Sequence, residues 1–437
     1  AQNHYVRENF HRCIDLFSKM WHHHTELLIL GYGAYVVFFE FCKERFPEIS
    51  DRDLSRMVGG VDVVMYRPDD ELKRLAALAV EQGVDDVFAE GAAVEDVLAA
   101  LDSRGEPGRT WLAALDAVRE PWFHITSGDG FYHHHRSWND DLTIPFSALS
   151  GYVARVRAGE NLNRPTDEVR AARERISREY RDLLDDGDRA AFDQMLELCR
   201  RVFPYVEDHK FYCEHWFTTL FYNKVREFGA LLERWEILDD AEDIFHLQHY
   251  EVDQALASVM LAWASGGRPN GTAQLKPLIA ERKRIVEALA HWDPPPALGP
   301  VPETLNDPLV KMLWGITAET LEAWTSDGTA NNEVRGYAAS PGVVEGTARV
   351  LGSVNEIGQA KKGEILVAPV TAPSWGPVFA KVAGAVSDIG GTMSHAAIVA
   401  REYGMPAVVG TGKATARIRT GQRIRVDGDR GVVTILE

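Results

Sequence analysis

The segment GGTMSHAAIVAREYGMP, residues 390–406, constrains the fold and the chemistry of this chain more than any other. Small apolar residues alternate before it, and alanine-rich sequence follows His395, so the pattern predicts strand, turn, histidine and helix in that order. The two glycines let the backbone turn sharply and approach a ligand closely. The helix N-terminus presents unpaired N–H groups and a positive dipole end to an anion. A nucleophilic nitrogen beside such a turn is suited to becoming a phosphohistidine.

Polar groups around His395 are the candidates for holding a phosphoryl group. These candidates are Gly390, Gly391, Thr392, Ser394 and Arg401. Arg401 lies about two helical turns beyond the histidine, so an ion pair with a neighbouring carboxylate is an equal alternative for it. Asp388 either fixes the imidazole tautomer or binds the turn. On this segment alone, a structural role for His395 as a cap of the turn is an equal alternative to a catalytic role.

Residues 336–437 resemble the swivelling phosphohistidine domain of the phosphoenolpyruvate-utilising enzymes, such as pyruvate phosphate dikinase and phosphoenolpyruvate synthase. The resemblance rests on four motifs: ASPGVVEGTARV (339–350), TAPSWGPVF (371–379), SDIGGTMSHAAIVARE (387–402) and GMPAVVGTG (404–412). It implies that His395 is phosphorylated and carries the phosphoryl group between two distant sites. Thr371 and Trp375 match family positions near the histidine and are interpreted as scaffold.

Composition predicts a soluble, cytoplasmic enzyme. The length of 437 residues allows two or three domains, and the net charge of −18 argues against nucleic acid or an anionic membrane as the main partner. The longest uncharged run of the N-terminal part lies between Glu26 and Glu40, shorter than the roughly 18 residues of a membrane span. The polar N-terminus predicts no signal peptide. Four widely spaced cysteines predict free thiols in a reducing compartment: Cys13, Cys42, Cys199 and Cys213.

Two compositional regimes divide the chain. Residues 1–324 show apolar spacing near the helical period, which predicts an all-α acceptor domain that binds substrate. Residues 325–335 are polar and predict a linker. Residues 336–437 contain short β-branched runs with frequent glycine, and the last two runs flank DGDRG, a hairpin signal. The predicted fold class is therefore multi-domain, an all-α helical domain followed by a small α/β swivelling phosphohistidine domain.

The dikinases and synthases that this chain resembles have two further modules. An ATP-grasp domain loads the histidine, and a barrel binds phosphoenolpyruvate. The sequence ends after the carrier domain, and the residues before that domain show few strands and no glycine-rich phosphate loop. We therefore expect either that a separate ATP-grasp subunit loads His395 or that the domain has lost its chemistry. ATP and Mg²⁺ or Mn²⁺ are expected on that partner, and no cofactor is expected to bind this chain firmly.

Two helical segments resemble a substrate domain of the same family. FPYVEDHKFYCEHWF (203–217) and LDDAEDIFHLQHYEV (238–252) resemble the helical domain of rifampin phosphotransferases and aryl phosphate synthases. The resemblance is closest to the acceptor and phosphocarrier subunit of a phenylphosphate or methylphenyl phosphate synthase. It implies a dikinase-type phosphotransferase of aromatic catabolism within a heteromeric complex. The implied reaction transfers phosphate from His395 to a small phenol such as phenol or cresol, giving an aryl phosphate, AMP and phosphate.

Histidines set among aromatic residues are the candidates for the acceptor site. A phenol has a pKa of about 10, so a general base assists its phosphorylation near neutral pH. The candidate bases are His133, His134, His135, His209 and His215. The candidate substrate-binding residues are Trp122, Phe131, Trp138, Asp208 and Tyr212. The alternative is that most of these rings form core and that the histidines form polar patches between helices.

The histidine triplets 22–24 and 133–135 do not by themselves predict a metal site. Consecutive helical side chains point about 100° apart, so at most two of residues 22–24 reach one ligand. A further ligand must then come from elsewhere, and no spacing in the sequence is diagnostic of one. We therefore assign no metal ligand, and whether either triplet binds a metal stays open.

Two other functions stay open at this point. One is a rifampin-type antibiotic phosphotransferase split into two chains, and the other is a non-catalytic phosphocarrier that acts by binding regulatory partners. Cavity size separates these functions, because a large antibiotic needs a wide groove and a phenol needs a small closed pocket. A helical domain with no cavity within reach of His395 favours the phosphocarrier.

Overall fold

The computed structural model describes residues 5–292, 298–305, 307–325 and 332–436. The helices in these ranges are α1 Val6–Arg45, α2 Asp51–Val58, α3 Arg67–Glu81, α4 Val94–Ser103, α5 Glu106–Trp122, α6 Thr143–Arg157, α7 Thr166–Arg181, α8 Asp186–His209, α9 Thr218–Arg234, α10 His249–Ser265, α11 Leu275–Ala290, α12 Pro308–Trp314, α13 Ala318–Thr325, α14 Gly376–Phe379, α15 His395–Tyr403 and α16 Ala414–Arg417. The strands are β1 Glu333–Arg335, β2 Tyr337–Ser340, β3 Val343–Val350, β4 Ile365–Ala368, β5 Gly384–Ser387, β6 Ala407–Val409, β7 Arg423–Asp427 and β8 Val432–Ile435.

The layout of a helical region followed by a small sheet domain is confirmed. Among the described residues before Glu333, the only strand-like pairing is an isolated bridge between Thr126 and Ser137. Helices α1 and α8 run against each other through much of their length, with Tyr35 and Phe38 of α1 fully buried. The four cysteines are free thiols, as predicted.

Helix α1 corrects the expectation drawn from the uncharged run. Its 40 residues include a window that is long and apolar enough to cross a membrane. The reason is that mean hydropathy over such a window tolerates one or two charges, whereas a count of uncharged residues does not. Core helices and signal sequences pass the same test, so this finding alone is weak evidence for a membrane.

A π-helical segment, Lys210–Phe217, joins α8 to α9 without a break. In an α-helix, residues five apart point about 140° away from each other. A π-turn closes its hydrogen bond over five residues, so it brings His209 and Glu214 to the same side. Thr218 adds a hydroxyl bond to the Glu214 carbonyl at the end of this segment. The sequence analysis did not predict this element.

The C-terminal sheet has eight strands in the order β1-β8-β7-β3-β4-β5-β6-β2. Strands β3, β4, β5 and β6 are parallel, and the others pair antiparallel. Strand β5 leads through a turn into α15, so His395 lies outside the carboxyl end of a parallel strand, where open α/β sheets bind ligands. The hairpin predicted at DGDRG joins β7 to β8.

The sheet begins earlier than the predicted boundary at residue 336. Strand β1, Glu333–Arg335, pairs with β8 and takes up the last part of the predicted linker 325–335. Its three residues, Glu333, Val334 and Arg335, alternate in burial as a strand does, which the polar composition of the segment had hidden. Residues 326–331 of the predicted linker lie outside the described residues.

The sheet domain is docked onto the helical region. One continuous hydrophobic core includes Trp111 and Phe146 from the helices and Trp375 from the sheet domain. Polar contacts cross the same interface: the Gly60 N–H donates to the Glu402 carboxylate at 3.0 Å. This docking turns the face of α15 that bears His395 toward the helical region.

Candidate active site

His395 is the first residue of α15, and its imidazole is held on two sides. Its Nδ1 lies 2.9 Å from the Thr371 hydroxyl. The ring meets Phe379 edge to face, with 6.0 Å between centroids. Burial lowers the pKa of His395 to about 3, and the ammonium group of Lys210 and the neighbouring imidazole of His215 add to the effect. The imidazole is therefore neutral at pH 7 and has one nitrogen lone pair for nucleophilic attack.

The glycine turn is covered by α12, so the amides of two phosphoryl-binding candidates, Gly390 and Gly391, already have hydrogen-bond partners. The Gly391 N–H donates to the Leu313 carbonyl at 3.0 Å, and the Gly390 N–H donates to the Trp314 carbonyl at 3.3 Å. The last carbonyls of a helix lack intrahelical partners, so the end of α12 and the turn satisfy each other. A Cβ at Gly391 would lie 2.2 Å from the Met312 carbonyl oxygen, so only glycine permits this approach.

The other three phosphoryl-binding candidates, Ser394, Thr392 and Arg401, lie in three different environments. Ser394 is the N-cap of α15, and its buried hydroxyl has no hydrogen-bond partner in the described part of the chain. Thr392 lines a separate cavity of about 380 Å³ between α1 and α12. Arg401 lies six residues after the histidine, about 120° around the helix. Its guanidinium donates to the Ala339 carbonyl at 3.0 Å, so it is placed away from the phosphoryl position.

Asp388 binds the turn, the second of its two predicted alternatives. Its carboxylate accepts hydrogen bonds from the Thr411 hydroxyl at 3.0 Å and from the backbone N–H of Ala414 at 2.5 Å. The Thr415 hydroxyl is a further partner. Asp388 therefore caps the short helix α16 and ties it to the end of β5, and the hydroxyl of Thr371 takes the place at the imidazole.

The surface opposite His395 comes from the helical region. A cavity of about 20 Å³, room for roughly one water molecule, lies between them. His395, Trp138, Tyr66 and Glu207 are among its lining residues. Glu207 also forms an ion pair with Lys210, whose Nζ lies 2.7 Å from the carboxylate. Lys210 thus places a partly buried ammonium group close enough to His395 to influence its titration.

His215 is the predicted base candidate nearest to this surface, and its hydrogen bonds define its tautomer. The backbone N–H of Thr126 donates to Nδ1 at 3.1 Å, so the proton of the neutral ring lies on Nε2. Burial is the main reason that the pKa of His215 is lowered to about 4. Its Nε2 is buried and has no hydrogen-bond partner among the described residues. His215 is therefore built as a hydrogen-bond donor, not as a proton acceptor.

His209 has the opposite arrangement. Its Nδ1 donates to the Tyr205 carbonyl at 3.0 Å, which leaves the lone pair on Nε2. That nitrogen is buried without a hydrogen-bond partner in the described structure and lies 3.6 Å from the Glu214 carboxylate. Among the five predicted base candidates, His209 is therefore one that keeps a lone pair on a buried nitrogen when its ring is neutral.

The triplet His133, His134 and His135 lies on the loop between α5 and α6. His133 stacks on Phe245 with 4.2 Å between ring centroids, and burial lowers its pKa to about 4. His134 stacks on Tyr132 at 5.5 Å. The Nδ1 of His135 lies 2.9 Å from an Asp129 oxygen. These contacts direct the three rings toward the loop itself and toward α9.

The candidate substrate-binding residues do not form one pocket. Trp138 is fully buried and lines the small cavity at His395. Trp122 packs against Phe211 at 5.8 Å, and Phe131 stacks on Trp21 at 5.5 Å at the surface. Two others lie elsewhere: Tyr212 is exposed, and Asp208 accepts the Val64 N–H. Most of these aromatic residues therefore pack in the helical region, as the alternative interpretation expected.

Three side chains from distant segments meet beside the π-helical segment. The His24 Nε2 lies 2.7 Å from a Glu214 oxygen, and His209 approaches the same oxygen. The ligand atoms of His24, His209 and Glu214 all lie within 4.8 Å of one another. Two imidazoles and a carboxylate are a donor set that holds divalent transition metals.

Sequence reasoning missed Lys210 and Thr126 as functional candidates. Lys210 lies within a segment singled out for its histidines, but its proximity to His395 depends on the docking of the sheet domain, which no local pattern contains. His24 was noticed only as one of a triplet. The signal available was its helical spacing: His24 follows Met20 by one turn and precedes Gly31 by two, and both of these residues lie on the buried face of α1.

Comparison with known proteins gives two matches to family models. Residues 360–431 match the mobile domain of PEP-utilising enzymes. Residues 22–207 match the fourth domain of rifampicin phosphotransferase. The two matched ranges fall on the sheet domain that carries His395 and on the helical region that faces it.

Individual relatives are much longer than this chain. A chondramide synthase from Chondromyces crocatus is 30% identical over 429 residues, covering 96% of this chain and 10% of that protein. The uncharacterised phosphotransferase YvkC of Bacillus subtilis is 30% identical over 294 residues, 67% of this chain and 33% of its own length. A rifampicin phosphotransferase of Streptomyces sviceus is 36% identical over 201 residues, 46% of this chain and 20% of its length. Together with the family models, these relatives show that the chain is similar to the mobile domain of PEP-utilising enzymes and to parts of phosphotransferases, and that it spans a third or less of the length of these relatives.

Proposed function

We propose that this chain is the carrier and acceptor part of an ATP-dependent phosphotransferase in which His395 is phosphorylated. The observation that carries the proposal is the position of a neutral, oriented imidazole at the start of α15, with Lys210 and His215 of the helical region near enough to influence its pKa. The nucleophile and the groups that stabilise the transferred charge are thus on opposite sides of one interface.

The loading step makes His395 the nucleophile. When Nδ1–H donates to the Thr371 hydroxyl, the lone pair of Nε2 is left to attack phosphorus. In the proposed reaction ATP and water yield phosphohistidine, AMP and phosphate. We propose that an ATP-grasp subunit, which holds ATP with Mg²⁺ or Mn²⁺, carries out this step. No residue of this chain is assigned to ATP or to that ion.

The transfer step uses the opposite face. A phosphoryl group on His395 carries about two negative charges near neutral pH. Lys210 and His215 are near enough to His395 to influence its pKa, and the Nε2 of His215 has no hydrogen-bond partner among the described residues, so we propose that these two groups stabilise that charge. Donors fixed in advance stabilise the charge of phosphoryl transfer, because they need no reorganisation during the reaction. The phosphorus–nitrogen bond breaks as the acceptor oxygen bonds to phosphorus, and the hydroxyl proton leaves to a base.

We propose that the acceptor is a small phenol, and that it binds when the sheet domain is swung away. The supporting observation is that two aromatic side chains of the helical region, Tyr66 and Trp138, line the cavity at His395. A ring does not fit the cavity of about 20 Å³ in the docked arrangement. The domain must therefore retract to admit the acceptor, which is consistent with a swivelling carrier.

Two specific observations favour other candidates. The match of residues 22–207 to the rifampicin phosphotransferase fourth domain favours a larger hydroxylated acceptor. The small cavity at His395 favours a non-catalytic phosphocarrier whose phosphorylation alters its docking. All three candidates share the phosphohistidine and differ in what discharges it.

The deciding experiment follows the discharge of pre-formed phosphohistidine. The chain is loaded with labelled ATP and an ATP-grasp partner, separated from nucleotide, and mixed with p-cresol, with a rifamycin or with buffer. The proposal expects the label to move to p-cresol and to remain on the protein in buffer. Discharge by the rifamycin alone would replace the phenol by the antibiotic, and a label stable to both acceptors would favour the phosphocarrier.

A further inference from the structure

We propose that His24, His209 and Glu214 form a site for one divalent transition-metal ion such as Zn²⁺ or Fe²⁺. These residues come from α1, the end of α8 and the π-helical segment, and their side chains converge in the interior of the helical region. The site is separate from the ATP-bound magnesium or manganese that the family resemblance assigns to a loading partner.

The distances among the three ligand atoms suit such an ion. Ligands at about 2.1 Å in tetrahedral geometry lie about 3.4 Å from each other. The Glu214 oxygen lies 2.7 Å from the His24 Nε2 and 3.6 Å from the His209 Nε2. All three atoms lie within 4.8 Å of one another, so shifts of less than about one ångström complete the site.

The hydrogen bond of His209 orients its ring for a cation at this position. Because Nδ1 donates to the Tyr205 carbonyl, Nε2 is the ring nitrogen directed toward the Glu214 oxygen, 3.6 Å away. A backbone carbonyl on the far nitrogen is also the usual way in which proteins orient a metal-binding histidine.

Burial and backbone geometry hold the ligands in place. The exposed fractions of the side chains are 8% for His24, 1% for His209 and 12% for Glu214. The π-turn sets His209 and Glu214 on one side of the chain, whereas an α-helix would separate them by about 140°. The π-helical segment is therefore what allows His209 and Glu214 to share one site.

The charge balance leaves room for a cation. Glu207 forms the close ion pair with Lys210, at 2.7 Å, whereas the groups within ion-pair distance of the Glu214 carboxylate are the two imidazoles. The alternative to a metal is that His24 is an imidazolium paired with Glu214. The two cases differ in whether chelators and metal content affect the protein, and this difference is the basis of the test.

The role of the ion rests on the proposed function, whereas the site itself does not. Three protein ligands leave a position open for a water molecule or a hydroxyl oxygen. A hydroxyl bound there loses its proton more readily, since a divalent ion stabilises the oxyanion. Such an ion would lower the pKa of the acceptor hydroxyl enough for water to take its proton, so that no protein general base is needed, a function that the hydrogen bonds of His215 do not allow.

The test measures metal content and spectra of the whole chain. The protein is purified, stripped with a chelator and titrated with Zn²⁺ and with Co²⁺, and bound metal is measured by mass spectrometry. The site predicts one ion per chain and visible Co²⁺ absorption bands. His24→Ala and Glu214→Gln should each weaken Zn²⁺ binding by about 100-fold or more. This loss exceeds the roughly 10–100-fold that follows when a residue hydrogen-bonded to a metal ligand is changed. His23→Ala, the exposed neighbour on the same helix, should bind as the wild type does.

Circular dichroism and thermal unfolding show whether each variant has folded. If His24→Ala does not fold, Glu214→Gln still tests the site, because it preserves the side-chain volume. The proposal is overturned if the wild type binds no Zn²⁺ or Co²⁺, or if the folded ligand variants bind as well as His23→Ala does. Phosphorylation of His395 is measured in parallel. A phosphorylated chain without a metal site would reject this inference alone, and a metal site in a chain that is never phosphorylated would reject the proposed function alone.

Discussion

Acidification is expected to destabilise this protein through His215. The pKa of its fully buried ring is about 4 in the folded chain, whereas a histidine in an unfolded chain has a pKa of about 6.5. Between these values the unfolded chain binds the proton that the folded chain excludes, so stability is full above pH 6.5 and falls as the pH approaches 4. Integration of the proton linkage gives a loss of roughly 2 kcal/mol between pH 7 and pH 5 for this residue alone.

Urea titrations of the wild type and of His215→Gln, followed by tryptophan fluorescence at both pH values, check this magnitude. The glutamine carbonyl retains an acceptor for the Thr126 N–H, and other titrating groups contribute equally to both proteins. The difference in the free energy of unfolding between pH 7 and pH 5 should therefore be smaller in the variant by roughly 2 kcal/mol. Equal pH dependence of the two proteins would refute the view that His215 is buried in the neutral form.

Three further changes test the surroundings of His395. Thr371→Val removes the hydroxyl at Nδ1 and should slow phosphorylation of His395 by roughly 10-fold or more with little effect on thermal stability, measured as the rate of label incorporation. Gly391→Ala places a Cβ 2.2 Å from a carbonyl oxygen of α12, so hydrogen exchange in α12 should rise, and unchanged exchange would contradict the docking of α12 on the turn. Lys210→Met leaves Glu207 buried without its partner and should lower the free energy of unfolding by about 3–5 kcal/mol, which a second change, Glu207→Gln, should partly restore in urea titrations.

Much of the fold is written in local sequence patterns. The glycines and small residues around His395 determine strand, turn and helix within one short segment, and DGDRG determines a hairpin. The boundary of the sheet was harder to predict, because β1 has only three residues and owes its conformation to pairing with β8. Short strands of this kind depend on long-range partners, which a local pattern does not contain.

The candidate site depends on contacts that the sequence does not reveal. The amides of Gly390 and Gly391 donate to carbonyls of α12, which lies about 80 residues earlier in the chain. The convergence of His24 with Glu214 needs both the packing of α1 on α8 and the π-turn. Residue types could nominate the histidines, whereas the protons on His209 and His215 follow from backbone groups that only the folded chain brings near.

Phosphorylation of His395 is the central claim, and site-specific labelling tests it most directly. The chain is incubated with an ATP-grasp partner and ATP labelled at the β- or γ-position, and the protein-bound label is tested for stability in acid and in base. We expect an acid-labile, base-stable label on the wild type and on His249→Ala, which changes an exposed histidine that also begins a helix. His395→Ala should carry no label while remaining folded. A label of the same amount and stability on His395→Ala would contradict the account.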